Sequence, residues 1–136
     1  GCGGGLNHRT GLFDAILIKE NHIKSAGGIT AALNAAGDLG ADVLIEVEVE
    51  NHEELLEALD AGAQRVLLDN FSIEDLKKAV ETNRELGYVA AELEASGNVT
   101  TLTIREIAAT GVDYISTGAL TKNVAAADLS MLFRID

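Results

Sequence analysis

Five side chains in this 136-residue sequence have types and spacing suited to work on an anion: His8, Arg9, Lys19, Glu48 and Asp69. His8 and Arg9 follow the run Gly3-Gly4-Gly5, where the lack of side chains lets backbone approach a ligand. Lys19 closes the short apolar run Ala15–Ile18. Arginine forks onto a carboxylate or phosphate, and lysine acts as a point charge. The chain has only ten Lys plus Arg, so two cations and a histidine on one Gly-rich stretch predict an anion site. His8 suits a proton carrier or a donor to that anion, and equally a structural loop histidine. His22 and His52 read as helix-entry or surface residues, and no His/Cys grouping has zinc spacing.

The acids pose a second problem. Glu46, Glu48 and Glu50 alternate along Val43–Glu50, so one side of a strand carries all three. That is unusual for a buried parallel strand, and like charges so placed repel unless a cation or metal sits among them. Glu48 and Asp69 are 21 residues apart, one βα unit, which brings two carboxylates to neighbouring strand ends. Hard oxygen ligands in an open site suit Mg²⁺ carrying substrate phosphates. They also suit a carboxylate beside an oxocarbenium-like sugar. A plain loop or N-cap acid is the structural alternative for Asp69. Ser96-Gly97-Asn98 and Thr117-Gly118-Ala119 both follow strands, where backbone N–H groups can cradle a phosphate.

These residues need a scaffold that brings strand ends together. Apolar runs predict strands at Ala15–Ile18, Val43–Glu50, Arg65–Asp69, Tyr88–Glu94 and Val112–Ser116. Helical spacing predicts helices over 29–39, 52–61 capped by Asn51, 73–86 capped by Ser72, and from a Thr100 or Thr101 cap to 110. Gly40, Gly62, Gly87 and Gly111 stop them. Ala125–Phe133 fits a helix or a strand. Alternating elements with a period of roughly 20–28 residues mean parallel strands with right-handed crossovers. A doubly wound sheet would need an early G-x-G-x-x-G after a strand, which is not found. The fold class expected is α/β, a parallel (β/α) barrel segment of about five strands, too few to close an eight-stranded barrel.

Composition agrees with an ordinary globular domain: 47% apolar and 24% charged residues. A net charge of −12 disfavours nucleic acid as a partner. No run of eighteen apolar residues or signal-peptide pattern is found, so no membrane association and a cytoplasmic location are expected. One cysteine, Cys2, suits a reducing compartment. The sequence does not start with Met and has no proline, which suggests a fragment or an engineered chain; the alternative to an enzyme is a half-barrel that folds and self-associates to cover its open strand edges without full catalytic activity.

Six motifs in order resemble the C-terminal part of the quinolinate phosphoribosyltransferases. They are Gly-Gly-Gly-x-Asn-His-Arg-x-Gly-Leu at 3–12, Leu-Ile-Lys-x-Asn-His-Ile at 17–23 and Glu-Val-Glu-Val-Glu-Asn at 46–51. Leu-Leu-Asp-Asn at 67–70, Glu-x-Ser-Gly-Asn-Val at 94–99 and Gly-Val-Asp-Tyr-Ile-Ser-x-Gly-Ala-Leu-Thr at 111–121 follow. The resemblance implies phosphoribosyl transfer from 5-phosphoribosyl-1-pyrophosphate to quinolinate, with loss of CO₂ and pyrophosphate, giving nicotinate mononucleotide for NAD biosynthesis. It implies Mg²⁺ as cofactor and a homodimer or higher oligomer. By matching position, His8, Arg9 and Lys19 would hold the quinolinate carboxylates and neighbouring phosphate. Glu48 and Asp69 would face the ribose, the metal or the developing cationic sugar, with Lys19 beside them in the catalytic set. Ser96, Gly97, Asn98, Gly118 and Ala119 would line the phosphate end. Residues 1–136 would be the C-terminal barrel portion, without the family's N-terminal α/β domain and its further cations. The chain alone is therefore expected to be weakly active or inactive.

Overall fold

A computed structural model describes residues 4–9, 14–40, 43–87, 90–124, 126 and 128–134. Five strands alternate with helices: β1 (Ala15–Ile18), α1 (Glu20–Ala26), α2 (Ile29–Asp38), β2 (Leu44–Val49), α3 (His52–Asp60) and β3 (Arg65–Asp69). Then come α4 (Ile73–Glu85), β4 (Glu92–Ser96), α5 (Ile104–Ala108), β5 (Tyr114–Ile115) and α6 (Ala119–Lys122). All strand pairings are parallel and the sheet order is β1-β2-β3-β4-β5. A doubly wound sheet reverses its order at a switch point, whereas a barrel adds each strand beside the last. The sequential order therefore settles the architecture as a barrel-type segment.

Local chemistry sets the element ends. The Asn51 side chain accepts from the Glu54 N–H at 3.0 Å and opens α3, and Ser72 Oγ accepts from the Asp75 N–H at 3.1 Å and opens α4. Gly27, at φ 92, closes α1 in the left-handed conformation that favours glycine.

The two sheet faces differ. Val47, Val49, Val66, Leu68, Leu93 and Ala95 point one way and are buried with helix residues such as Leu55, Ala58, Leu76 and Ala79. Alternation turns Glu46, Glu48, Arg65, Asp69, Glu92, Glu94 and Ser96 the other way, interrupted by Leu17 and Leu67. In a barrel, that second face is the interior.

Several sequence expectations need adjusting. Helix α1 was not expected; it buries no residue, so it has no apolar stripe to betray it. Strand β4 starts at Glu92 rather than at residue 88, because the buried Asn83 of α4 clamps the preceding residue. Asn83 Nδ2 donates to the Ala91 carbonyl at 2.7 Å, and the Ala91 N–H donates to Asn83 Oδ1 at 2.9 Å. Tyr88 itself lies outside the described residues, as do Cys2, Gly3, residues 10–13, Ala125 and Ala127. Helix α5 starts only at Ile104, since Thr100 Oγ1 accepts from the N–H groups of Leu102 and Thr103 in a tight turn. Strand β5 is confined to two residues. The described residues of 125–133 form neither helix nor strand, and Leu129, Met131, Leu132 and Phe133 are exposed.

Candidate functional site

The polar face can be followed in register from the strand starts to the strand ends. At the base, Arg65 Nη2 and Nε reach Glu92 Oε2 at 2.6 and 3.0 Å. The same guanidinium stacks 4.2 Å from the Tyr114 ring centroid, and the Tyr114 hydroxyl donates to Glu92 Oε1 at 3.2 Å. These contacts occupy the Arg65 charge and one acid.

Next to them sit two buried glutamates, Glu46 in register with Arg65 and Glu94 level with Glu48 through Leu67. Glu46 and Glu94 are 1% and 3% exposed, and His8 reaches in from the N-terminal loop. Its Nε2 lies 3.0 Å from Glu46 Oε2 and 3.4 Å from Glu94 Oε1. Burial, reinforced by the negative charge of Glu94, pushes the Glu46 carboxyl up to about 7, against the pull of His8. The Glu46 carboxyl therefore holds its proton until near neutral pH. Among the described residues, these three form a group whose donor atoms lie within 4.8 Å of one another.

The strand ends carry the third group. Lys19, one residue past β1, places Nζ 3.0 Å from Glu48 Oε2 on the next strand. The Lys19 N–H donates to His22 Nδ1 at 3.0 Å, which pins the turn into α1. Asp69 ends β3 opposite Ser96, the last residue of β4. Beyond them opens a cavity of about 720 Å³, lined by Asp69, Asn70, Asn98, Thr117 and Lys122 among others. Ser96, Gly97, Gly118 and Ala119 also line it.

The structure thus brings Lys19 to Glu48, and gathers Asp69, Ser96, Gly97, Asn98, Gly118 and Ala119 around one cavity. It does not bring Arg9 to Lys19. The Arg9 guanidinium donates to the Ala15 carbonyl at 3.5 Å, at the opposite end of β1. The Ala119 N–H is not left for a phosphate, since it donates to Thr117 Oγ1 at 3.2 Å.

Sequence reasoning did not single out Glu94, Asn70 or Lys122. Glu94 follows Glu92 at the same alternation that marks Glu46 and Glu48. Lys122 lies four residues past Gly118, one helical turn along α6, and supplies a cation to the cavity lining. Glu48 accepts an ion pair from Lys19 and Asp69 a bond from Asn70; both are half-buried hard oxygen donors of the kind Mg²⁺ takes, but they line different cavities.

A sequentially wound parallel sheet, with its polar residues gathered at the carboxyl ends of the strands, defines the barrel class of α/β proteins. A sequence profile described as quinolinate phosphoribosyl transferase, C-terminal domain, matches residues 1–132, and the chain belongs to that family. It is 42% identical to quinolinate phosphoribosyltransferase [decarboxylating] 1 of Nicotiana glauca, over 95% of this chain and 41% of that protein. It is likewise 42% identical to a probable nicotinate-nucleotide pyrophosphorylase [carboxylating] of Bacillus subtilis, over 96% of this chain and 44% of that one. The solved nicotinate-nucleotide pyrophosphorylase of Francisella tularensis superposes with a TM-score of 0.87 at 54% identity, covering 95% of this chain and 45% of its own. The chain spans about two fifths of the length of the curated relatives it matches.

Proposed function

We propose that this chain is the C-terminal barrel portion of an enzyme that transfers the phosphoribosyl group of 5-phosphoribosyl-1-pyrophosphate to quinolinate. CO₂ and pyrophosphate leave, and nicotinate mononucleotide forms on the route to NAD. The reading rests above all on the Lys19–Glu48 ion pair and the Asp69 cavity, both at the carboxyl ends of the strands, in a chain of this family.

The chemistry fits the residues. Quinolinate is a dianion, and Lys19 and His8 are cation and donor on the polar face. Arg9 would complete that set once its guanidinium turns from the Ala15 carbonyl. As the ring nitrogen attacks C1 and pyrophosphate departs, positive charge develops on the ribose, which Glu48 and Asp69 would face. Mg²⁺, held by Glu48 and Asp69 through the substrate's phosphates, would neutralise the leaving group. Ser96, Gly97, Gly118 and Ala119 would line the phosphate end, with Lys122 beside them.

We propose a cytoplasmic location, a reducing compartment that the single cysteine suits. Among the described residues, no helix is long and apolar enough to cross a membrane. We also propose a homodimer or higher oligomer. The exposed Leu129, Met131, Leu132 and Phe133 are an apolar stretch that association would cover.

Titration calorimetry with quinolinate tests the reading. The chain is expected to bind quinolinate, and Lys19→Ala and Arg9→Ala to lose it while far-UV circular dichroism stays unchanged. Parental affinity in both variants would overturn it. Since the chain spans only part of its relatives' length, its own turnover is expected to fall below the order of 1 s⁻¹ found in ordinary enzymes.

A further inference from the structure

Between Asp69 and the β4–α5 loop runs a chain of side-chain amides that the reaction as described leaves unexplained. Asn70 Nδ2 donates to Asp69 Oδ2 at 2.8 Å. Asn98 Nδ2 donates in turn to Asn70 Oδ1 at 3.1 Å. The Asn70 N–H reaches the Ser96 carbonyl at 3.0 Å, so backbone and side chain of Asn70 both tie β3 to β4. Each amide gives its NH₂ to the next acceptor, and the line ends on the Asp69 carboxylate.

The backbone is bent to build this line. Asn70 has φ 57 and Asn98 has φ 51, the left-handed region that non-glycine residues rarely enter. Between them in space, Gly97 has φ 87, and a Cβ there would collide with the Asn70 side-chain amide. Two asparagines in this conformation, at neighbouring strand ends, carry a cost that persists only where the surroundings enforce it.

We propose that Asn70 is a positioning residue for the transfer reaction: it fixes the rotamer of the Asp69 carboxylate toward the cavity, and Asn98 acts through it. This rests on the proposed function, in which Asp69 faces the Mg²⁺-bearing phosphoribosyl pyrophosphate. With Oδ2 held by an N–H donor, Oδ1 is the oxygen left for that ligand. Asn98, expected from the sequence to touch substrate phosphate, is thereby assigned a different task. Hydrogen-bonding partners of this kind orient a carboxylate before the ligand arrives, and their loss costs about 10–100-fold in affinity or rate.

The test uses Asn70→Gly, which deletes the amide yet suits φ 57, and Asn70→Asp, which keeps the shape but replaces the donor with a like charge. Binding of 5-phosphoribosyl-1-pyrophosphate at saturating Mg²⁺ is measured by calorimetry, with quinolinate binding and thermal melting alongside. We expect phosphoribosyl pyrophosphate affinity to fall about tenfold in Asn70→Gly and further in Asn70→Asp. Quinolinate affinity should stay within about twofold, a split that loss of a merely structural tie would not produce. Asn98→Gly should weaken phosphoribosyl pyrophosphate binding less, and should add nothing in the Asn70→Gly background. Parental phosphoribosyl pyrophosphate affinity in both Asn70 variants, or equal loss of both ligands, would overturn the inference while leaving the proposed function standing. A separate loss from Asn98→Gly in the double variant would overturn the part given to Asn98. A parent chain that binds neither ligand would sink the proposed function, and this inference with it.

Discussion

The two faces of one five-stranded sheet are both buried at their centre, and by opposite means. Val47, Val66, Leu68 and Leu93 are essentially inaccessible against the helices. Two positions alternate with them, Glu46 and Glu94, and these are just as inaccessible but carry carboxyl groups. On the first face, burial removes apolar surface from water and stabilises the fold. On the second, burial works against the fold, because a carboxyl group loses its hydration and regains only part of it from neighbours. Among the described residues, one buried oxygen on each of Glu46 and Glu94 has no hydrogen-bond partner. The comparison teaches that the helix face holds the structure and the interior face draws on that stability. The capacity to bind charge is a cost carried by the apolar half.

If that division is right, substitutions on the two faces should fail in different ways. The largest effect is expected from Leu68→Ala, which empties a fully buried site at the centre of the helix face. It should cost about 2–5 kcal/mol by urea denaturation. Ligand affinity of the molecules that remain folded should not change. A large loss of affinity in the folded fraction would break the division.

Gly97→Ala should come next, at about 2 kcal/mol, from a strained left-handed residue. Its added methyl also pushes on the Asn70 amide, so this variant is expected to lose both stability and phosphoribosyl pyrophosphate affinity. It marks the rim where the two roles meet. Unchanged stability would mean that the β4–α5 turn relaxes freely, and that the bent backbone at Asn70 and Asn98 carries little cost.

Much of this was legible in the sequence where the physics is local. Asn51 and Ser72 cap the helices expected of them, because a cap needs only a side chain and an N–H three residues on. The ends of β3 and the spacing of Glu48 and Asp69 follow from the length of a βα unit. What could not be read was set by contacts between distant residues. The start of β4 depends on Asn83 reaching Ala91, and α1 on a turn pinned by His22. His8 and Arg9 are adjacent in sequence, yet one points to the acids of β2 and β4 and the other to the start of β1. Adjacency suggested a single cluster that the backbone does not form. Asn70 escaped notice because its role arises only when β4 brings Asn98 beside it.

The smallest effect is the most direct probe of the interior face. The Glu46 carboxyl is raised from an ordinary 4.5 to about 7 on folding. Below 4.5 it is protonated in both folded and unfolded chains, and the stability due to it is fully present. Between 4.5 and 7 the unfolded chain releases the proton while the folded chain keeps it, so stability falls as pH rises. Above 7 both forms are ionised and the loss is complete. One proton sets a ceiling of about 1.4 kcal/mol per pH unit on that slope. Glu46→Gln keeps the size of the side chain and cannot ionise, so this part of the decline should vanish from denaturation curves taken between pH 5 and 7. The variant should then be the more stable protein above pH 7, with Leu68 and its neighbours undisturbed. A decline that survives the substitution would mean that the retained proton does not belong to Glu46.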